Sequence, residues 1–375
     1  MLHNFSGTDG AGPSGGVTLD PTGEIYGTTA GGGTGSACTG GCGTVFRLIR
    51  HPHGDWSEAV LYSFNANGNG SVPFGGLAFD AVGNVYGTAT NGGNNYCSYG
   101  CSIVFELSPG SDSWAETVLY RFCTQSGCED GGGAVAGLAM DAVGNLYGTA
   151  GVVYELTPGS DGWTEKVLHE FTKKHDGGAP YAGVILDAAG NLYGTTYGGG
   201  AYGDGTVYEL TPQSGGHWKE TILFRFNGKD GQWPGHGALF MDGSGALYGT
   251  TTNGGSYGGV VFKLTPKGNG RWRESTLYEF QGGASGWLPD AGVVMDKSGN
   301  LYGTTDGGGS GGCGGIYKLA PKPKGQWKYT VLHAFYGWDG CAPDGNRVLD
   351  KKGNLYGGTI LGGTTGNGVV FELTP

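Results

Sequence analysis

The chain has 375 residues, 21 Lys and Arg against 32 Asp and Glu, and a formal net charge of -11 at pH 7. That balance disfavours a nucleic-acid backbone or an anionic membrane surface as partner, and no apolar run reaches the length of a membrane span. The 84 glycines would suit disorder, but they cluster between alternating apolar runs, and 9 Trp and 21 Tyr supply the aromatic mass of a packed core.

One ten-residue phrase, Asp187-Ala-Ala-Gly-Asn191-Leu-Tyr193-Gly-Thr-Thr196, returns at intervals of roughly fifty residues. Its copies begin at Asp20, Asp80, Asp141, Asp187, Asp242, Asp296 and Asp350, and each carries a Tyr at the matching place, from Tyr26 to Tyr356. Each unit reads as four short strands. In the fourth unit these are Gly183 to Asp187, Leu192 to Thr196, Thr206 to Thr211 and Trp218 to Phe226, with a tight turn at Ala-Gly-Asn between the first two. Seven such units predict an all-β, seven-bladed β-propeller of four antiparallel strands per blade, a single domain spanning 1–375. The repeat Tyr and the Trp that open the fourth strands read as packing residues.

In chain order, blade 1 covers about 15–64 and carries Cys38 and Cys42 in its long loop. Phe74 precedes blade 2, about 75–122, whose loop holds Cys97 and Cys101 with Tyr96 and Tyr99. Cys123 and Cys128 lie in the connection to blade 3, about 136–171, which passes from its second to its third strand with almost no loop. Lys173, Lys174 and His175 form a small basic cluster before Tyr181 and blade 4, about 182–226. Trp233 and His236 precede blade 5, about 237–280; Trp287 and Asp290 precede blade 6, about 291–335, which carries Cys313. Trp338, Cys341, Asp344 and Arg347 lead into blade 7, about 345–375, which lacks a fourth strand. Residues 1–5 match the end of one, so the first residues are expected to complete the last blade and remove its open edge.

The phrase G-N-L-Y-G-T-T, a Gly-rich loop, V-F-E-L-T-P and W-x-E-x-V-L-Y-x-F together resemble the GloVer-type tandem repeats of exported bacterial proteins. The resemblance spans essentially the whole chain and implies a repeat architecture and export, with no assigned activity and no catalytic residues. The strand pattern is also similar to other seven-bladed propellers, which implies architecture alone.

Eight Cys in close sets point to disulfides and an oxidising compartment, and the ring topology makes Cys313 and Cys341 neighbours. The expected location is secreted or on the cell surface, an export signal having been removed. Counting back from the Asp that ends each first strand gives one residue per blade at the channel mouth: Ser14, Phe74, Val135, Tyr181, His236, Asp290 and Asp344. The ring is lopsided, with an imidazole and two carboxylates on consecutive blades, as acid/base chemistry requires. Arg347 replaces the Val or Leu of other first strands; a buried guanidinium needs a carboxylate, and Asp344 and Asp290 are the expected partners. Trp233, Trp287 and Trp338 stand outside the repeat beside this polar half, as rings that stack on pyranose faces would.

These readings give an extracellular carbohydrate-active protein. The leading expectation is a monomeric glycoside hydrolase or polysaccharide lyase with His236, Asp290, Asp344 and Arg347 as reacting groups. Trp233, Trp287, Trp338, Tyr181, Phe74, Lys174 and His175 would bind the polysaccharide. The alternatives are a non-catalytic glycan-binding module and a structural surface protein. No cofactor is required; a divalent cation at the channel mouth stays open. There is no H-E-x-x-H, G-x-S-x-G or phosphate-loop motif.

Overall fold

The computed structural model describes residues 1–375 apart from 94–100, 112 and 125. Its strands form seven antiparallel sheets, each built from strands consecutive in sequence except for the one that joins the two chain ends. They close into the seven-bladed propeller that the repeat predicts. In blade 4 the strands are Ile185–Leu186, Leu192–Thr196, Thr206–Pro212 and Trp218–Arg225. At the closure His3 lies opposite Val370 and Asn4 opposite Val369, so the first residues complete the last blade.

The repeated phrase is a self-capped hairpin. Asp187 Oδ1 accepts the N–H groups of Ala189 and Asn191 at 2.9 Å each, while Oδ2 accepts the Asn191 amide at 2.8 Å and the Tyr193 hydroxyl at 3.1 Å. Burial alone would raise the Asp187 pKa, but these four donors outweigh it and hold the carboxyl below its ordinary value.

Between blades, the Phe near the end of each fourth strand meets an aromatic of the next blade's third strand edge-on. Phe64 on Phe105, Phe226 on Phe262 and, across the closure, Phe5 on Phe46 all have centroids 5.1 Å apart. Each such Phe buries about 1.5–3 kcal/mol of apolar surface. The tip of the third-strand ring explains the Gly of Tyr-Gly-Thr: a Cβ on Gly194 would come within 2.3 Å of the Tyr208 hydroxyl oxygen. The repeat Tyr in turn packs against the fourth-strand Trp of the following blade, as Tyr26 does on Trp114 and Tyr356 on Trp56 across the closure.

The first strands are shorter than the sequence suggests: of Gly183 to Asp187 only Ile185 and Leu186 pair with the second strand. The residues before them press backbone to backbone around the axis, where a Cβ on Gly75 would lie 2.4 Å from the Ala136 carbonyl oxygen. Blade 5 adds a short strand, Gln232–Pro234, paired with its second strand Leu247–Asn253. Disulfides join Cys38 to Cys42, Cys123 to Cys128 and Cys313 to Cys341. The expected Cys97–Cys101 pair, like Tyr96 and Tyr99, falls at least in part outside the described residues. Among those residues no helix is long and apolar enough to cross a membrane.

Candidate functional site

The first-strand positions meet at the axis. Ser14, Phe74, Val135, His236 and Asp344 line one recess of about 30 Å³ together with glycines of the inner strands. Tyr181 and Asp290 join it through His236, Tyr181 with ring centroids 5.6 Å apart and Asp290 by direct hydrogen bonds.

The His236–Asp290 contact rests on one additional residue. Other connections run Pro, mouth residue, small residue, as in Pro289-Asp290-Ala291, with Ala134 in place of Pro before blade 3; blade 5 inserts Gly235 between Pro234 and His236. The Gly237 N–H bonds the main-chain oxygen of Asp290 at 3.1 Å, which locks the two inner strands together. The Asp290 carboxylate then accepts the His236 main-chain N–H at 3.1 Å through Oδ1 and meets the His236 Nδ1 at 2.7 Å through Oδ2. This fixes the tautomer with the proton on Nδ1 and leaves Nε2 to act as base. The side chain of His236 is 39% exposed and that of Asp290 16%. The hydrogen bond from Asp290 raises the His236 pKa above its ordinary value, burial opposes it, and the charges of Asp290 and Asp344 add to the rise.

Two further acids lie in this environment. Asp344 is buried, and burial, then the charge of Asp290, pushes it up to about 6 against the pull of the Gly345 N–H, His236 and Arg347. Asp306 escapes the sequence reading. It follows Tyr302-Gly-Thr-Thr, where the other units place Ala30, Thr90, Gly151, Tyr197, Thr252 and Ile360, so a comparison of second-strand ends would have exposed it. Burial, then the charges of Asp344 and Asp290, pushes Asp306 up to about 9, and its Oδ1 is buried without a hydrogen-bond partner. Arg347 opposes this rise, but burial and the neighbouring carboxylates outweigh it and favour the neutral carboxylic acid.

Arg347 is only 4% exposed, at the inter-blade position that the sequence gives it. The expected ion pair with Asp344 or Asp290 is not made. The guanidinium donates instead to the Thr304 hydroxyl and the Gly292 carbonyl, two groups of the inner strands of blade 6 that it reaches first. Burial lowers its pKa, opposed by the charges of Tyr317, Asp344 and Asp306, so it acts on the acids at longer range. A side chain so enclosed has no surface with which to grip a substrate carboxylate.

The three unrepeated Trp do not form one platform. Trp233 stacks on Tyr197 at 5.7 Å and 15°, Tyr197 meets Tyr181 at 5.6 Å, and Phe74 lies 6.3 Å from His236, so an aromatic row surrounds the imidazole. Trp287, 46% exposed, lines a separate groove of about 740 Å³ between blades 5 and 6 with Tyr257, Gln232, Asn253 and Gln281. Trp338 lines another cavity with Met1 and His333, because the His333–Asp339 hydrogen bond at 2.9 Å draws its loop to the outer rim. Lys174 and His175 are exposed, and their main-chain oxygens accept bonds from Gly200 and Arg225. Among the described residues, the one group of three donors close enough to share a metal ion is His3, Asp9 and Glu58 at the rim.

The sequence model of the Gloeobacter/Verrucomicrobia repeat matches residues 1–150 and 149–371. No curated protein matches. Among solved structures, the fold is similar to a gluconolactonase of Xanthomonas campestris, at 16% identity and TM-score 0.40 over 73% of this chain and 79% of that one. It is also similar to a putative glucose dehydrogenase of Thermus thermophilus, at 17% identity and TM-score 0.45 over 86% and 98%. A Dyadobacter fermentans protein of unknown function aligns at 12% identity and TM-score 0.43 over 99% and 95%. Likeness at this level assigns no activity.

Proposed function

The chain belongs to the Gloeobacter/Verrucomicrobia repeat family, and proceeding from that architecture we propose that it is an extracellular carbohydrate-active protein, a glycoside hydrolase with its site at the channel mouth. The saccharide lies over the axial recess, where Phe74, Tyr181, Tyr197 and Trp233 around His236 offer stacking faces. The groove of about 740 Å³ with Trp287 and Tyr257 is a second saccharide-binding surface, lined by the neutral groups of Gln232, Asn253 and Gln281. The observation that carries the reading is the axial recess: its 30 Å³ suits a single water molecule, and His236 and Asp344 both line it. His236, oriented by Asp290, takes a proton from that water as it attacks the glycosidic carbon. Asp344, pushed up to about 6 by burial and the charge of Asp290, gives its proton to the leaving sugar oxygen as the glycosidic C–O bond breaks, and regains it from His236. The base is the imidazole and not the Asp290 carboxylate, because both oxygens of Asp290 are engaged by His236. A lyase is less well supported, since Arg347 is enclosed and the groove is lined by neutral groups.

A second reading, glycan binding without chemistry, draws on the 5% exposure of Asp344, which leaves no free carboxyl facing the groove among the described mouth residues. A panel of polysaccharides separates the two. Release of new reducing ends by the wild type, lost in His236→Gln while retention on the glycan persists, is the expected result. Retention without product leaves a lectin. Neither product nor retention sinks both readings.

A further inference from the structure

Away from the mouth, the four seams from the closure of the ring to blade 4 each carry a polar position on the outer rim. It is assembled from the residue before the last two of a fourth strand, a turn residue of the following connection, and a Glu of the next blade's fourth strand. In the seam between blades 1 and 2 these are Tyr62, Asn69 and Glu116; between blades 2 and 3 they are Tyr120, Asp130 and Glu165, with the Tyr120 hydroxyl donating to Asp130 at 2.9 Å. At the closure of the ring, between blades 7 and 1, they are His3, Asp9 and Glu58. Replacing the phenol by an imidazole turns a hydrogen-bonded staple into a set of three metal donors.

We propose that His3, Asp9 and Glu58 form a binding site for a divalent transition-metal ion of the zinc or cobalt class, which ties the N-terminal strand of blade 7 to blade 1. His3 Nε2 and Asp9 Oδ2 are 3.1 Å apart, and one donor atom from each of the three residues lies within 4.8 Å of the others. One imidazole nitrogen and two carboxylate oxygens suit such an ion, with the remaining positions left to water. The supporting contacts are in place. Asp9 Oδ1 accepts the N–H of Ser6 at 2.7 Å and its hydroxyl at 2.9 Å, which leaves Oδ2 turned toward His3, while the His3 ring is held edge-on by Phe5 at 4.8 Å. The Glu58 Oε1 is shut off from solvent and has no hydrogen-bond partner, as is the case for Glu116, Glu165 and Glu220 at the matching seams. What the closure adds is an imidazole and a carboxylate within reach of it. A carboxylate oxygen so placed, beside the charge of Asp9, needs a cation or a proton. The seam between blades 3 and 4 repeats the residue types with His169, Asp176 and Glu220, and its imidazole nitrogen lies 3.6 Å from the Glu220 oxygen. There, however, the Asp176 carboxylate is turned to Thr172 and Lys174, and the three donors do not come within reach of one ion. The closure is the one of the two in which all three donors converge.

The ion would act where the ring is fastened without a covalent link. Tag-free protein titrated with Co²⁺ should develop visible d–d absorption. At a hundredfold excess of Zn²⁺ over its Kd the thermal midpoint should rise by about 3 °C. The controls are Glu58→Gln and His3→Tyr, the latter placing at this seam the residue type of Tyr62 and Tyr120 in the next two seams. Both should remain folded and lose the absorption and the thermal shift. Absence of Co²⁺ absorption in the wild type, or equal absorption in His3→Tyr, would overturn the site and leave a proton shared between Asp9 and Glu58.

Discussion

The seams between blades and the mouth of the channel are built from the same repeat, yet they use it in opposite ways. At the seams every unit places the same kind of side chain at the same height, so the Phe contact recurs at 5.1 Å in blades far apart in sequence. At the mouth, blades 5 to 7 depart from the pattern with His236, Asp290, Asp306, Asp344 and Arg347, and those departures form one electrostatically linked group. Repetition supplies the ring; a handful of exceptions supplies the candidate site.

Phe226→Ala attacks the first region and should cost about 3–5 kcal/mol in urea unfolding, the range for emptying a packed aromatic site. His236→Gln attacks the second. It should leave the urea midpoint almost unchanged while lowering glycan turnover by about 10²–10⁴, the usual worth of a positioned base. If Phe226→Ala were mild and His236→Gln unfolded the chain, the division between frame and site would collapse.

Arg347→Val returns blade 7 to the repeat. A buried charge replaced by an apolar residue is often neutral or stabilising, so stability should stay within about 1 kcal/mol. Asp344 and Asp306 should titrate higher once the cation that pulls them down is gone. A large loss of stability would mean that the guanidinium bonds to Thr304 and Gly292 belong to the frame.

The smallest effect is spread over the whole ring. Burial pushes Glu165 up to about 7 and Glu116 and Glu274 to about 6. Their folded pKa values exceed the unfolded one, so their contribution is complete below about 4.3 and fades as pH rises through those values. Turn acids such as Asp187, Asp242 and Asp296 run the other way: burial would raise them, but their hydrogen bonds prevail and lower them. Their contribution is present above about 3.9 and is lost as pH falls. Thermal melts should therefore peak between about pH 4 and 6. A maximum at pH 8 would contradict this balance.

How much of this the chain declares in advance follows the same division. Seven Tyr and the fourth-strand Trp at a fixed period announce the ring, and the ends of the chain announce its closure. The mouth is harder to read. His236 and Asp290 could be placed on adjacent blades, but their contact depends on Gly235, an insertion whose effect is visible only when inner strands are set side by side. Asp306 sits at a second-strand end, outside the first-strand positions that mark the mouth. Trp338 was set with the other two Trp because all three occupy matching connections, whereas the His333–Asp339 bond takes its loop elsewhere. Arg347 was correctly placed between blades, but hydroxyl and carbonyl groups lay nearer than the carboxylates.

Imidazole NMR titration of His236, in the wild type and in Asp290→Asn, tests most directly whether the mouth residues act as a group. The wild-type ring should titrate above 6.5, and removal of the carboxylate charge should return it to or below that value. A wild-type midpoint at or under 6.5 that Asp290→Asn fails to move would contradict the dyad, and with it the site.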